Sequence, residues 1–186
     1  MKNNSSCFWN NLLLVCGVLG SCTILAAQTN NNTPVRIGIY DSRALAYVWF
    51  GSPARQRALQ EQMQAARAAQ AAGDTNRFRL LGDQLRELQA EVHREVFSTA
   101  PATGALAELK DRLPAIEKQA GVVTLISKWD EPARQRFPHA EVVELTRELV
   151  QEFQPTEKQL KVIDGLEKQK PLPLEKCEEL IRQNKI

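Results

Sequence analysis

The stretch RFRLLGDQLRELQAEVHREVF, residues 77–97, decides the fold of this chain. Its apolar side chains recur at alternating steps of three and four residues, which is the repeat of a coiled-coil seam. Arg, Glu, Asp and Gln occupy the other faces. The seam positions are Phe78, Leu81, Leu85, Leu88 and Val92. This spacing predicts one long helix that packs lengthwise against a partner helix.

The partner helix is predicted immediately upstream. Ser52 followed by Pro53 is a helix-start signal, and no helix breaker follows until the turn sequence GDTN at 73–76. Two long helices joined by so few residues run antiparallel, so residues 52–103 are predicted to form a helical-hairpin arm about 30 Å long. The apolar stripe of the first helix is thin, and we expect its Leu59 and Met63 to fill the seam of the second.

The segments that flank the arm alternate between strand and helix patterns. Strands are predicted at 35–40, 122–127 and 141–145, and a loop is predicted at 129–138. Helices are predicted at 43–50, at 104–120 with a break at Pro114, and after a Thr146 cap. The predicted fold class is therefore α+β, mostly α overall, with a small β-containing body (34–51 and 104–154) that carries the arm.

The two ends of the chain have different compositions. Residues 1–27 read as a signal peptide cut after Ala27, and 28–33 as a disordered leader, which predicts export to the periplasm. The alternative is lipidation at Cys22, and only this alternative predicts membrane association. The charged tail, residues 155–186, predicts two short helices, either folded against the body or loosely attached.

Composition and charge argue against several classes of function. The whole chain has a net charge of +2 and no clustered basic patch, so nucleic acid is not an expected partner. After removal of residues 1–27, Cys177 is the single cysteine, which excludes a disulfide within one chain. The two histidines, His93 and His139, have no second ligand at metal spacing, and no catalytic motif occurs. We therefore expect no metal, no cofactor and no enzyme activity.

Aromatic side chains concentrate where the body meets the arm, at Tyr47, Trp49 and Phe50. Two interpretations remain open for them. They can pack the junction between body and arm, because clustered aromatics usually belong to a core. They can also form an apolar lip that binds a polypeptide.

The order of segments resembles the Skp/OmpH family of periplasmic chaperones. RIGIYDSRALA (36–46) is similar to the family's first strand and short helix, LKDRLPAIEKQAGVVTLISKWD (109–130) to its returning helix and central strand, and EVVELTRELVQEF (141–153) to its closing strand and helix. The resemblance covers about residues 34–154. It implies a homotrimer whose helical arms surround a cavity that holds unfolded outer-membrane or other exported proteins without ATP.

This chain departs from the family pattern in its shorter arms and its nearly neutral charge. Two other functions therefore stay open beside the chaperone. One is an envelope scaffold that docks a specific folded partner through its coiled-coil arm or its tail. The other is an enzyme whose site is assembled between subunits.

Overall fold

A three-stranded parallel sheet organises the body, in the order β2-β1-β3. The computed structural model describes residues 34–186, which belong to one compact unit. The strands are β1 (Arg36–Tyr40), β2 (Leu125–Ser127) and β3 (Glu141–Glu144). In the central strand, Ile39 pairs with Ile126 on one side and with Glu144 on the other. The central strand β1 is mostly buried, whereas the edge strand β3 is mostly exposed.

Helices make up most of the described part of the chain, and the fold class is α+β as predicted. The helices of the body and the arm are α1 (Ser42–Phe50), α2 (Pro53–Ala71), α3 (Thr75–Phe97), α4 (Thr103–Leu109), α5 (Leu113–Ala120), α6 (Glu131–Gln135) and α7 (Thr146–Gln151). The tail contains α8 (Glu157–Leu166) and α9 (Leu174–Arg182). None of the helices in residues 34–186 is both long enough and apolar enough to cross a bilayer.

The long helices begin and end for local reasons. Asp74 accepts a hydrogen bond from the backbone N–H of Arg77, which starts α3 two residues before the quoted stretch. Pro53 is in the first turn of α2, but Ser52 makes no side-chain cap bond, so only half of the predicted start signal operates. The break at Pro114 occurs as predicted, because α4 ends at Leu109 and α5 restarts at Leu113 with Pro114 in its first turn.

Three local predictions are corrected by the structure. Strand β2 is shorter than the apolar run at 122–127, because the chain bends at Val123, whose side chain is 63% exposed. Residues 129–138 are not all loop, since Asp130 accepts from the N–H of Ala133 and caps the short helix α6. Thr146 does not cap α7. Its hydroxyl is instead used to accept a hydrogen bond from the backbone N–H of Asp41.

The main core lies where α1 packs against α3, α4, α7 and α8. The centre of this core is built around Trp49, which is 2% exposed and donates from Nε1 to Oε2 of Glu108 at 2.8 Å. The guanidinium of Arg55 stacks on its ring, 3.7 Å from the centroid. Other large members of the core are Leu45, Val48, Leu109, Leu149, Val150, Phe153 and Ile163.

The tail is folded against the rest of the unit. Helix α8 packs on α1, and α9 packs on α3. Leu172 bonds to both neighbours of Ser98, accepting from the N–H of Thr99 and donating to the carbonyl of Phe97, both at 2.9 Å. Ile163 and Cys177 are fully buried, so each tail helix contributes one side chain to the interior.

Close packing at Gly104 generates the first prediction. A Cβ atom at this position would lie 2.0 Å from Cη2 of Trp49, so Gly104→Ala should lower the free energy of unfolding by about 1–3 kcal/mol. Gly165→Ala in α8 is the matched control, because nothing lies within 4 Å of its added Cβ and alanine favours the helix. Urea denaturation followed by circular dichroism measures both. Equal stability of the two variants would contradict the described packing.

Candidate functional site

An apolar groove of about 1190 Å³ lies on the arm side of the body. We call it the arm groove. Its walls are α2 and α3, which are joined by a short turn and pack against each other. One end is closed by the last turn of α1 and by α8. The groove therefore lies where the predicted arm leaves the body.

Most side chains of the predicted seam line the arm groove. Its lining includes Leu59, Met63, Leu81, Leu85, Leu88 and Val92. All but Met63 are half-buried, and Met63 is 40% exposed. Phe78, the remaining seam position, does not line the groove and is 39% exposed. The leucines of α3 thus line an open space beside α2 and are only partly covered by it.

Small residues in α2 explain why this space is open. The buried side chains of α2 are Ala66 and Ala69, near the turn, whereas Leu59 and Met63 lie nearer the body. An alanine side chain occupies little volume at a helix interface, so the two helices can approach closely near the turn. Ala58 and Ala65 of α2 line the groove together with the leucines of α3, and such small side chains leave part of the seam unfilled.

The aromatic residues of α1 divide between the core and the groove. Tyr47 and Phe50 are half-buried and line the arm groove, as the apolar-lip interpretation requires. Trp49 belongs to the core and is held there by Glu108 and Arg55, as the junction-packing interpretation requires. Tyr47 and Phe50 also pack against the core, and their binding of a polypeptide stays a prediction.

Helix α8 adds groove residues that sequence reasoning missed. Val162, which is 38% exposed, and Leu166 lie at the closed end, and Gln159 donates to the carbonyl of Gly51 at 3.4 Å. Arg147 of α7 pairs with Asp164 of α8 and holds this helix in place. The amphipathic pattern of the tail signals a packed helix, but that pattern does not specify which surface the helix meets.

The lining of the arm groove carries little charge. Its charged residues are Arg55, which is stacked on Trp49, and Glu61. Its other polar side chains are the amides of Gln56, Gln62, Gln89 and Gln159, together with the Tyr47 hydroxyl. An apolar concave surface with a few neutral polar groups is typical of a site that binds an apolar ligand or peptide segment.

A polar cluster, separate from the arm groove, lies at the carboxyl end of the parallel sheet, where many α/β proteins have their ligand sites. Asp41 follows β1 and is fully buried. Its carboxylate accepts from Nη2 of Arg43 at 2.9 Å and from Nε1 of Trp129 at 2.9 Å. Arg43 is 2% exposed, and its Nη2 also donates to the carbonyl of Leu166. The hydrogen bonds of these two charged side chains therefore connect β1, the residue Trp129 after β2, and α8.

The pKa of Asp41 lies below its ordinary value. Burial alone would raise the pKa of this carboxyl, but hydrogen bonds from Arg43 and Trp129 and the positive charges of Arg43 and Lys128 outweigh that effect. Asp41 is thus held as a carboxylate with its acceptor sites occupied. This geometry stabilises the fold.

Glu95 is a buried carboxyl of a different kind. It lies near the end of α3 and is 7% exposed. Its Oε1 accepts from the backbone N–H of Thr103 at 3.3 Å, but its Oε2 has no hydrogen-bond partner. Burial, with a smaller contribution from the charge of Glu91, raises its pKa to about 7. Glu95 does not line the arm groove.

The buried ion pair generates a prediction for stability. Asp41→Asn should lower the free energy of unfolding by about 3–5 kcal/mol, because it leaves the buried guanidinium of Arg43 without its carboxylate. Asp83→Asn is the matched control, since it breaks an exposed pair with Arg86 and should cost less than about 1 kcal/mol. Urea unfolding at neutral pH compares them. A cost below about 1 kcal/mol for Asp41→Asn would show that the pair is not essential.

The raised pKa of Glu95 generates a prediction for pH dependence. Its pKa in the folded protein, about 7, exceeds the ordinary value of 4.5, so the folded state binds the proton more tightly. Glu95 therefore adds stability below pH 4.5 that is lost as the pH rises through about 7. We expect the free energy of unfolding to fall by about 1–3 kcal/mol over this range.

Glu95→Gln should flatten this fall, because the amide does not titrate and its oxygen can still accept from Thr103. Glu87→Gln is the control on the same helix, since the side chain of Glu87 is 73% exposed. Urea titrations at several pH values measure the slope. A wild-type slope in Glu95→Gln would contradict the assignment of this titration to Glu95.

The groove and the two buried carboxyl sites are the main polar and concave features of residues 34–186. Within this range, no three His, Cys, Asp or Glu side chains are grouped as metal ligands. The predicted signal peptide with its cut after Ala27, the alternative of lipidation at Cys22 and the predicted leader at 28–33 concern residues outside the described part of the chain. Comparison with protein-family models, with curated proteins and with solved structures found no match for this chain.

Proposed function

We propose that this protein is a non-enzymatic, holdase-type chaperone that binds unfolded or exported polypeptides in the cell envelope. The observation that carries the proposal is the arm groove, an open apolar surface with almost no charge. Met63, Phe97 and Val162, three of the exposed large apolar residues, lie in it. Apolar area of this kind gains about 25 cal/mol for each Å² that a polypeptide removes from water.

The proposed assembly is a Skp/OmpH-like homotrimer in which α2 and α3 form an antiparallel arm on each subunit. Support for association comes from the sheet, because β2 and β3 are both edge strands and Val142 on β3 is 52% exposed. The periplasmic location rests on the composition of residues 1–27. The clients we propose are outer-membrane and other exported proteins in their unfolded state.

A light-scattering assay tests the chaperone function. An unfolded β-barrel outer-membrane protein is diluted from urea with and without the full chain, and we expect one trimer per client to suppress its aggregation. Met63→Glu should weaken the suppression, since it adds a charge to the groove without disturbing a buried side chain. Leu80→Glu is the matched control, because Leu80 is 57% exposed on α3 and does not line the groove.

Undiminished aggregation at equimolar trimer would overturn the chaperone proposal. A single dominant partner in crosslinked cell-envelope extracts would instead support the second candidate, a scaffold that docks one folded protein. The scaffold is favoured over the chaperone if one particular polypeptide segment fits the arm groove better than all others. The scaffold would use the arm, because the tail helices are already packed against α1 and α3.

A further inference from the structure

We propose that Glu95 and Arg55 form a proton-controlled switch, in which Arg55 leaves the ring of Trp49 and pairs with Glu95 when Glu95 loses its proton to the solvent. Arg55 lies near the start of α2 and Glu95 near the end of α3. The switch therefore acts where these two helices adjoin α1. It does not depend on the proposed chaperone function, because it involves side chains of this chain and no ligand.

The carboxyl group of Glu95 has one oxygen atom without a partner. The residue is 7% exposed, and its Oε1 accepts from the backbone N–H of Thr103 at 3.3 Å. Its Oε2 makes no hydrogen bond to any of the described residues. A buried charge without a partner costs far more than a buried neutral acid, so the ionised form of Glu95 needs a donor at Oε2.

Arg55 is the cation that is available to supply this donor. The positive charges of Arg55 and Arg94 favour the ionised form of Glu95, whereas the charge of Glu91 opposes it. Arg94 is already bound to Glu87, with 2.6 Å between Nη2 and Oε1. Among residues 34–186, by contrast, Arg55 takes part in no ion pair and no hydrogen bond, and it is an exposed residue.

The stacking of Arg55 on Trp49 is the weaker of its two possible interactions. The guanidinium lies 3.7 Å from the ring centroid, at the surface of the protein. A cation–π contact at an exposed site is weaker than a charge-assisted hydrogen bond to a carboxylate that has lost its water. Ionisation of Glu95 should therefore draw Arg55 away from the ring.

Charged groups on the other surrounding elements are engaged elsewhere. On α1, Arg43 belongs to the buried ion pair, and on α4, Glu108 accepts from the indole N–H of Trp49. On α9, Lys176 bonds to a glutamate of its own helix. Tyr40 of β1 keeps its proton near neutral pH, because burial, with smaller contributions from nearby carboxylates, raises its pKa to about 12. None of these groups supplies the missing donor.

The switch changes the arm groove at the end near α1. Arg55 lines the groove, whereas Trp49, which lies beneath its guanidinium, does not. When Arg55 moves to Glu95, one face of the indole ring should become accessible from the groove. Burial raises the pKa of Glu95 to about 7, so the groove should be more apolar above neutral pH than below it.

An NMR titration of the full chain across neutral pH tests the switch. The ring current of Trp49 should move the side-chain proton resonances of Arg55 upfield while the two groups are stacked. We expect this upfield shift at acidic pH and its loss as the pH rises through about 7. In Glu95→Gln the shift should persist at every pH, because the amide does not ionise.

The carboxyl carbon resonance of Glu95 measures its ionisation in the same samples. Arg55→Gln should raise the midpoint by about one pH unit, which is roughly tenfold tighter proton binding, because the carboxylate loses its partner. Arg57→Gln is the matched control and should leave the midpoint unchanged. Arg57 is an exposed arginine of the same helix, and its Nε donates to the carbonyl of Pro53.

Two results would overturn the switch. Arg55 resonances that stay upfield while Glu95 ionises would show that water, and not Arg55, supplies the donor. A midpoint that is equal in the wild type and in Arg55→Gln would show that the two side chains do not pair. Circular dichroism checks that each variant is folded. Neither result bears on the proposed function, which the light-scattering assay tests separately.

Discussion

The buried pair between Asp41 and Arg43 is the interaction on which the arrangement of the body depends. Asp41 follows β1 and caps α1, while its partner Arg43 donates to the carbonyl of Leu166 in α8. Trp129, beyond β2, and Thr146, at the start of α7, bond to the same aspartate residue. The pair thus joins four parts of the chain distant in sequence. Because both charges are buried, removing either leaves the other uncompensated, and this fixes one arrangement of these elements.

The arm groove follows from this arrangement together with the composition of α2. The pair and the Arg147–Asp164 bridge hold α8 against the body, which closes one end of the groove with Val162 and Leu166. Ala-rich α2 supplies too little side chain to cover the leucines of α3. A leucine-rich α2 would give a more stable pair of helices without an open apolar surface. If the groove has the proposed binding role, stability and binding make opposite demands on the same positions.

Predictions from the sequence were correct where a local pattern has one physical interpretation. The helix breakers at 73–76 and Pro114 place helix ends, and alternation at 35–40 marks the central strand. The predictions failed where tertiary contacts compete with a local signal. Thr146 has the side chain of a cap, but its hydroxyl accepts from Asp41, 105 residues away. Neither the buried state of Glu95 nor the groove contribution of Val162 has a sequence signal, since each depends on which helix packs nearby.

The sequence by itself determined the periodic helices, their breaks and the apolar face of 77–97, because propensity and spacing act over a few residues. It also determined the near neutrality that argues against nucleic acid as a partner. Only the tertiary structure decided that Trp49 belongs to the core while Tyr47 and Phe50 line the groove, and that the tail helices α8 and α9 pack against α1 and α3. Burial is a property of the elements that surround a side chain, and no local pattern specifies which elements these are.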